Sequence, residues 1–303
     1  FITPNLRYIK ETFKNSEISF GCGPRFRTGM MYHPYIDKLI SLPIDLDIIN
    51  NSDYYLMFEG IIENNEEAKR VNAYDLFEKA FGFHGKISKD KKIPVLGTNK
   101  EYSDKYEKII SNFRESRKNN NPMIGIALRA SHIIRSIPPQ ILHGIISLLV
   151  NNGIPVNLLG GIDDIEVVHR MPNMNHPLIF HGYKYSKDFR DTIAMINLTD
   201  GIISPDTSTI HMAAAFNKPI VGLYGPFPSK LRTSYYKNCS CFDIKIACGP
   251  CFLHGVETCD YSSENKEPAC MHIHQPNHVV NEMMKLVEAS ISKKRISESL
   301  KVI

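Results

Sequence analysis

The sequence lacks an apolar run long enough to span a membrane, and it lacks a large excess of positive over negative charge. Its longest apolar stretch, Ile141–Val150, is interrupted by His143, Gly144 and Ser147, whereas a bilayer-spanning helix needs about 20 predominantly apolar residues. Lys and Arg number 36 against 32 Asp and Glu, a net charge of +4, which excludes a strongly basic nucleic-acid binder as the leading interpretation. We therefore expect a soluble protein that makes no nucleic-acid contacts.

Cysteine is scarce outside one segment, because six of the seven cysteines lie between Cys239 and Cys270. A disulfide scaffold would distribute its bridges through a small secreted chain, and the first residues show no basic leader followed by an apolar signal core. A reducing, cytoplasmic compartment is therefore expected. The chain begins at Phe1 rather than at methionine, which suggests that processing or an incomplete gene removed a preceding segment.

The 303 residues accommodate two α/β domains, and the alternation of strand-like and helix-like segments predicts βαβ units with parallel sheets. The polar, proline-terminated run Lys118–Pro122 predicts a linker. We assign residues 1–118 to the first domain, 119–285 to the second, and 286–303 to a C-terminal helix and tail. The predicted strands are Ile18–Gly21, Leu39–Leu42, Tyr54–Phe58, Met123–Leu128, Val156–Leu159, Leu178–Phe180, Gly201–Ser204 and Ile220–Tyr224. The predicted helices are Asn5–Phe13, Asn72–Phe83, Asn99–Arg117, Pro138–Asn151, Asp163–Arg170, Ser186–Asn197, Thr207–Phe216 and a C-terminal helix from Val279.

Three polar loops follow strands of the second domain, at the sheet edge where doubly wound proteins bind ligands. The segment Asp206–His211 runs from a strand into a helix, whose free N–H groups and dipole suit a phosphate; alternatively, Asp206 only caps the helix. Ser131 and Arg135 follow the first strand and suit a phosphate or a solvated loop. The pair Asp163-Asp164 follows the second strand and could accept ribose hydroxyls or cap a helix.

A separate cysteine pattern predicts a metal site. Cys248, Cys251, Cys259 and Cys270 have the spacing of a four-thiolate site for zinc or iron. Four protein ligands would leave no position for water, so such a metal would be structural. The alternative is a set of free or buried thiols. His272 and His274 are close enough in sequence to replace one ligand, and Cys239 and Cys241 lie outside the pattern.

Two further segments carry the resemblance to a known family. The run Asp206–Ala215, followed by Lys218–Pro226, closely resembles the signature of glycosyltransferase family 9, the ADP-heptose:lipopolysaccharide heptosyltransferases. The similarity extends nearly end to end and is looser from Lys38 to Pro122. It implies a GT-B fold, with two Rossmann-like doubly wound domains facing a cleft. It also implies inverting, metal-independent transfer of a sugar, most typically from ADP-heptose, to a lipopolysaccharide-core-type acceptor, with no cofactor needed for catalysis.

The resemblance also implies roles for individual residues. Asp206 would contact the donor sugar, and Arg135, where the family often has lysine, would neutralise leaving-group charge. The donor-binding residues it implies are Ser131, Asp164 (less securely Asp163), Thr207, Ser208 and His211. Ser208 departs from the family, which usually has glycine there, and its side chain could narrow the approach of a diphosphate.

A second departure concerns the start of the chain. The family's general base is an aspartate after the first strand, upstream of the segment that matches Thr3-Pro4. This chain has no carboxylate matching that role, so we expect the first domain to lack its first strand and the chain to bind donor but transfer sugar poorly.

The sequence gives a less specific signal for the residues that would bind the acceptor. Arg25 and Arg27 follow a first-domain strand and could meet an anionic acceptor, although an ordinary solvated loop is equally consistent. The basic tail Lys293–Arg295 predicts at most peripheral contact with the inner face of the cytoplasmic membrane. Three alternative functions remain open: a protein O-heptosyltransferase or another nucleotide-sugar transferase, a catalytically inactive nucleotide-sugar binder, and, more weakly, a zinc ribbon.

Overall fold

The computed structural model describes residues 1–253, 259–262 and 267–299, with side chains of the last helix as far as residue 297. Within these ranges we find no helix with both the length and the hydropathy needed to cross a membrane. The described chain forms two α/β parts, here called the first part (residues 1–118) and the second part (residues 119–299).

The first part contains a small parallel sheet covered by helices. Its strands are β1 (Ser19–Cys22) and β2 (Lys38–Ser41), with Phe20 in register with Leu39. Its helices are α1 (Thr3–Thr12), α2 (Arg27–Met30), α3 (Leu46–Asn50), α4 (Ala73–Ala80) and α5 (Lys100–Glu115). The sequence placed both strands within a residue or so of their observed bounds, so the α/β prediction holds for this part of the chain.

The predicted strand Tyr54–Phe58 is wrong. No strand forms there, and the side chains of Tyr54 and Met57 are 91% and 71% exposed. An apolar run becomes a strand only when a neighbouring strand accepts its backbone hydrogen bonds and a core receives one of its faces. In the described first part, β1 and β2 pair only with each other, so this run remains an exposed loop.

The second part is a six-stranded, fully parallel sheet. Its strands are β3 (Ile124–Ala127), β4 (Val156–Leu159), β5 (Ile179–Phe180), β6 (Gly201–Pro205), β7 (Ile220–Tyr224) and β8 (Cys239–Asp243). Its helices are α6 (Pro139–Asn151), α7 (Ile165–His169), α8 (Phe189–Leu198), α9 (Ser208–Ala215), α10 (Lys230–Thr233), α11 (Ala269–His272) and α12 (Pro276–Ser299). The spatial order is β5-β4-β3-β6-β7-β8, which is the dinucleotide-fold order 3-2-1-4-5-6.

The five strands predicted for the second part are confirmed, but β8 was missed. Its sequence, Cys239-Ser-Cys-Phe-Asp243, contains no Val, Ile or Leu, and the strand lies half-buried at the sheet edge. Such a strand is defined by the neighbour it pairs with rather than by its own hydrophobic pattern. The pairing with β7 spans five residues, from Ile220 with Cys239 to Tyr224 with Asp243.

Two apolar clusters hold the sheet between helices. On one face, α6 and α12 pack Leu142, Ile146, Met283 and Val287 against the strands. The other face is covered by α5, α8 and α9. Because both faces are covered, the strands β3 to β7 are buried along their whole length, as expected for a parallel sheet.

Helix α5 lies in the first part of the chain but packs on the second. The hydroxyl of Tyr106 donates to the Tyr185 carbonyl at 2.9 Å, and Arg114 donates to Asp200 at 2.7 Å. The ring of Phe113 meets Phe180 edge-on at 5.2 Å. The core of the second part therefore includes α5.

The start of α4 forms another connection between the two parts. Asn72 caps α4 through the Tyr74 N–H and donates with its amide to the Lys230 carbonyl at 2.8 Å and to the Ser234 hydroxyl at 2.9 Å. The Tyr235 hydroxyl donates to Asp75 at 2.7 Å. These bonds join the first part to α10 and to the segment that follows it.

Candidate functional site

The central crevice of the sheet lies beyond the carboxyl ends of β3 and β6. These two strands are neighbours, and the chain winds outward from them in opposite directions. Loops diverge at such a switch point, which leaves an opening where α/β proteins bind ligands. The loop 128–138 leaves β3, and residues 206 and 207 link β6 to α9, so two of the three predicted loops meet here.

Arg135 joins these two loops directly. Its Nη1 donates to the main-chain oxygen of Asp206 at 2.8 Å and lies 3.7 Å from the Asp206 carboxylate, while its Nη2 donates to the Ser131 hydroxyl at 2.7 Å. The Nε of Arg135 is buried and has no partner among the described residues. The structure thus brings Ser131, Arg135 and Asp206 together.

The start of α9 lies beside this cluster. Thr207, and not Asp206, caps the helix: its hydroxyl accepts from the Thr209 N–H at 3.1 Å and lies 3.1 Å from the Ser204 hydroxyl. The interpretation of Asp206 as the helix cap is therefore wrong. The Asp206 side chain, in a residue only 7% exposed, faces Arg135 at the positive end of the α9 dipole.

The third loop holds its carboxylate differently. Asp164 accepts from the Gly161 N–H at 2.8 Å and forms an ion pair with Arg129, whereas Asp163 is exposed. Asp164 therefore closes the turn Ile162–Asp164, one of the two roles considered from the sequence, and α7 begins after it at Ile165. A contact between Asp164 and a ribose stays a prediction.

His211 is at the α9 end of a chain of hydrogen bonds that reaches the first part. Its Nδ1 lies 2.5 Å from the Tyr236 hydroxyl, which lies 2.6 Å from the Tyr74 hydroxyl. Burial, aided by the charge of Arg232, holds the pKa of His211 well below its usual value, so the ring is neutral near pH 7. His211 thus lies where α9 meets α4.

The direction of the two hydrogen bonds among Tyr74, Tyr236 and His211 follows from which of these groups has a proton to donate. Tyr236 is the hydrogen-bond partner of Tyr74 in the described structure. If Tyr74 donates to Tyr236 and Tyr236 donates to Nδ1 of His211, both buried hydroxyl protons are used; the reverse order leaves the Tyr74 proton unpaired. We therefore assign the His211 proton to Nε2. Sequence analysis missed both tyrosines, because no local pattern separates a buried, hydrogen-bonded tyrosine from an exposed one.

Comparison with known proteins identifies the family. The model of glycosyltransferase family 9 (heptosyltransferase) matches residues 69–260, which is more than half of the chain. The chain belongs to glycosyltransferase family 9. The family assignment predicted from the sequence is thus confirmed, and the protein is a glycosyltransferase. Among curated proteins no sequence matches significantly.

Solved structures show that this glycosyltransferase has the GT-B fold of its family. A family 9 glycosyl transferase from Veillonella parvula DSM 2008 aligns with a TM-score of 0.68 at 15% identity, over 95% of this chain and 93% of the other. The E. coli ADP-heptose lps heptosyltransferase II gives 0.65 at 15% identity, over 95% and 94%. The iron-containing dodecameric glycosyltransferase TibC from enterotoxigenic E. coli H10407 gives 0.58 at 12% identity, over 95% and 72%.

The predicted acceptor residues of this glycosyltransferase lie on the first part. Arg25 is in a short turn after β1, and Arg27 begins α2; both are exposed. The Arg25 guanidinium lies over the Phe26 ring, 4.5 Å from its centre, and that ring lies 6.1 Å from the ring of Phe189 at the start of α8. The turn therefore lies against the second part near the carboxyl end of β5.

The four cysteines of the predicted metal site come together in the fold. Cys248, Cys251, Cys259 and Cys270 all line one small cavity. Burial, and then the negative charge of the other three thiolates, raises the pKa of Cys270 to about 12. In the described part of the chain, no three or more His, Cys, Asp or Glu side chains are arranged as ligands around a common point, so metal binding stays a prediction.

Proposed function

We propose that this glycosyltransferase transfers heptose from ADP-heptose to a lipopolysaccharide-core-type acceptor, with inversion and without a catalytic metal. The observation that carries the proposal is the cluster of Ser131, Arg135 and Asp206 at the switch point, beside the start of α9. The family assignment supports sugar transfer. The structural relative from E. coli that acts with ADP-heptose supports the choice of donor.

The cluster supplies the two chemical functions that such a donor needs. A nucleotide diphosphate carries negative charge that grows as the sugar departs, and a fixed guanidinium and helix N–H groups stabilise that charge without a metal ion. Arg135 carries such a guanidinium, which is held in place by its bonds to Asp206 and Ser131. The nearly buried Asp206 carboxylate offers acceptors for sugar hydroxyls.

The first part supplies a surface for an anionic acceptor. Arg25 and Arg27 are exposed next to the start of α8, and exposed guanidinium groups bind carboxylates or phosphates in bidentate fashion. The tail residues Lys293–Arg295 are exposed on α12 and add only weak, salt-sensitive attraction to an anionic membrane.

We also propose a structural zinc or iron ion in the four-cysteine cavity. Cys248, Cys251, Cys259 and Cys270 would hold it as thiolates, and because all four positions are protein ligands it would order the loop after β8 rather than take part in sugar transfer. The position of all four cysteines around one small cavity supports this fit, as does the iron in the structural relative TibC. Metal analysis of the purified protein, beside Cys251→Ser and Cys259→Ser, tests it: a metal content that is zero, or unchanged in both variants, would contradict it.

Calorimetric titration with ADP and with ADP-heptose tests the donor site. Arg135→Ala should weaken ADP binding about 10-fold or more, since a hydrogen bond to a charged group contributes about 1.5–3 kcal/mol. Asp206→Asn should leave ADP binding nearly unchanged but should remove the extra affinity for ADP-heptose. The matched control is Arg70→Ala, an exposed arginine of the first part. ADP binding by Arg135→Ala at the affinity of the unaltered protein would overturn the assignment.

A further inference from the structure

Ile134 is a buried side chain that packs outside both apolar clusters of the second part. It is only 2% exposed, whereas the side chain of its neighbour Ile133 is 43% exposed. Among the described residues it is a member of neither cluster. Instead, Ile134 forms part of the wall of the four-cysteine cavity. Its burial therefore depends on the described residues between β8 and α12 that carry the cysteines, here called the cysteine loop.

The cysteine loop also packs on the turn that follows β7. Gly225 and Pro226 form this turn and line the same cavity as Ile134. The Phe252 N–H donates to the Pro226 carbonyl at 3.0 Å. A Cβ at Gly225 would lie only 2.5 Å from the Cys270 sulfur, so the loop lies against the bare backbone of this turn. The cysteine loop thus contacts two turns at the carboxyl edge of the sheet, and one of them contains Ile134.

The turn that contains Ile134 is short and is closed by its own hydrogen bonds. Residues Ile133–Arg135 form a single 3-10 turn. The Arg135 N–H donates to the His132 carbonyl at 3.2 Å, and the Ser136 hydroxyl donates to the same carbonyl at 3.0 Å. Because these bonds tie the turn together, a displacement of Ile134 also displaces the adjacent Arg135.

The two neighbours Ile134 and Arg135 reach into different sites. Ile134 lines the four-cysteine cavity, and the Arg135 guanidinium donates to the Ser131 hydroxyl and to the main-chain oxygen of Asp206. The binding of a diphosphate depends on the exact position of such a guanidinium, since a displacement of about 1 Å removes much of its benefit. The packing of Ile134 against the cysteine loop therefore bears directly on the donor site.

We propose that Ile134 is a positioning residue that couples the cysteine loop to Arg135, so that packing of the loop strengthens binding of the donor diphosphate. This inference rests on the proposed donor site. When the loop is packed, it holds the turn from behind and keeps Arg135 beside Asp206. When the loop detaches, Ile134 loses its cover and the turn is no longer held. By thermodynamic linkage, a bound diphosphate stabilises the packed loop by the same factor by which the packed loop strengthens diphosphate binding.

Calorimetric titration with ADP tests the coupling. Ile134→Ala should weaken ADP binding about 3- to 10-fold, which is a smaller loss than that of Arg135→Ala, because Ile134 acts through Arg135. Ile134→Val should restore most of the affinity. In the Arg135→Ala background, Ile134→Ala should cause no further loss. A further loss of the same size in that background would overturn the proposal.

Ile154→Ala is the matched control. It truncates a buried isoleucine of the same part that precedes β4, at the opposite edge of the sheet. Circular dichroism checks that both alanine variants are folded, and Ile154→Ala should bind ADP like the unaltered protein. An equal loss of ADP affinity in Ile154→Ala and Ile134→Ala would show a general effect of core truncation and would overturn the proposal.

The reactivity of Cys270 provides a reciprocal test. This cysteine is buried and is the only cysteine in the tryptic peptide 267–285, so its alkylation by N-ethylmaleimide in the folded protein measures detachment of the loop. Saturating ADP should slow this alkylation in the unaltered protein and in Ile154→Ala, but not in Ile134→Ala. A rate that ADP leaves unchanged in the unaltered protein would overturn the coupling.

The two proposals fail in different ways. ADP affinity that Arg135→Ala leaves unchanged would contradict the donor site itself. Weakened ADP binding in Arg135→Ala, together with unchanged ADP binding in Ile134→Ala, would contradict only the role of Ile134.

Discussion

The hydrogen-bonded chain Tyr74–Tyr236–His211 leads to a prediction about how two substitutions combine in their effect on stability. Tyr236→Phe removes the hydroxyl that bonds to two buried groups, so that the Tyr74 hydroxyl and the His211 Nδ1 both lose their partner. Each unsatisfied buried polar group costs about 1–3 kcal/mol. Tyr236→Phe should therefore lower the free energy of unfolding by about 2–4 kcal/mol.

The double variant should be more stable than the Tyr236→Phe single variant. Adding Tyr74→Phe removes one of the two groups left unpaired, so only the His211 nitrogen remains without a partner. Tyr74→Phe alone removes a donor from Tyr236, which still donates to His211, and should cost about 1 kcal/mol. The second substitution is thus destabilising on its own and stabilising in the presence of the first, which is strong coupling between contacting residues.

Urea unfolding at pH 8, where an unfolded histidine is also neutral, measures this cycle. Because the chain contains no tryptophan, far-ultraviolet circular dichroism is the suitable signal. Tyr235→Phe is the matched control, since it removes one hydrogen bond to Asp75 across the same junction without affecting His211. Additive effects, or a double variant less stable than Tyr236→Phe, would refute the coupling of these three side chains through buried hydrogen bonds.

Two other predictions concern buried charge and pH. Lys92→Met leaves the buried Glu78 carboxylate without its 2.7 Å ion pair and should lower the free energy of unfolding in urea by about 3–5 kcal/mol. The control Lys79→Met removes an exposed ion pair and should lower it by less than about 1 kcal/mol. Equal losses of stability in the two variants would contradict the argument from burial. Burial lowers the pKa of His33 to about 4, so between the unfolded value of about 6.5 and pH 4 only the unfolded chain binds this proton. Stability should fall as the pH drops through that window, by at most about 1.4 kcal/mol per pH unit for this histidine, and it should fall less steeply in His33→Gln. Identical slopes of stability against pH in the two proteins would exclude His33 as a source of this pH dependence.

The sequence predicted the central strands and the two meeting loops because local pattern and chain order determine them. A short apolar run such as Val156–Leu159 predicts a buried strand by itself, and a parallel βαβ order places the loops after β3 and β6 at one edge of the sheet. The edge strand β8 and the loop at Tyr54–Phe58 were misjudged because pairing partners, and not composition, decide whether a run forms a strand. The roles of Thr207 and Asp206 at α9 depended on a one-residue shift of the helix start, which propensity does not determine.

The packing of α5 bears on how the two parts can move. Helix α5 shares a core with α8 through Tyr106 and Phe113 and is tied to Asp200. A rotation of the first part about the run Lys118–Pro122 would have to pull these side chains out of that core. The pivot for any opening of the cleft must therefore lie before α5, and a second domain produced alone would need to include α5 to keep its core intact.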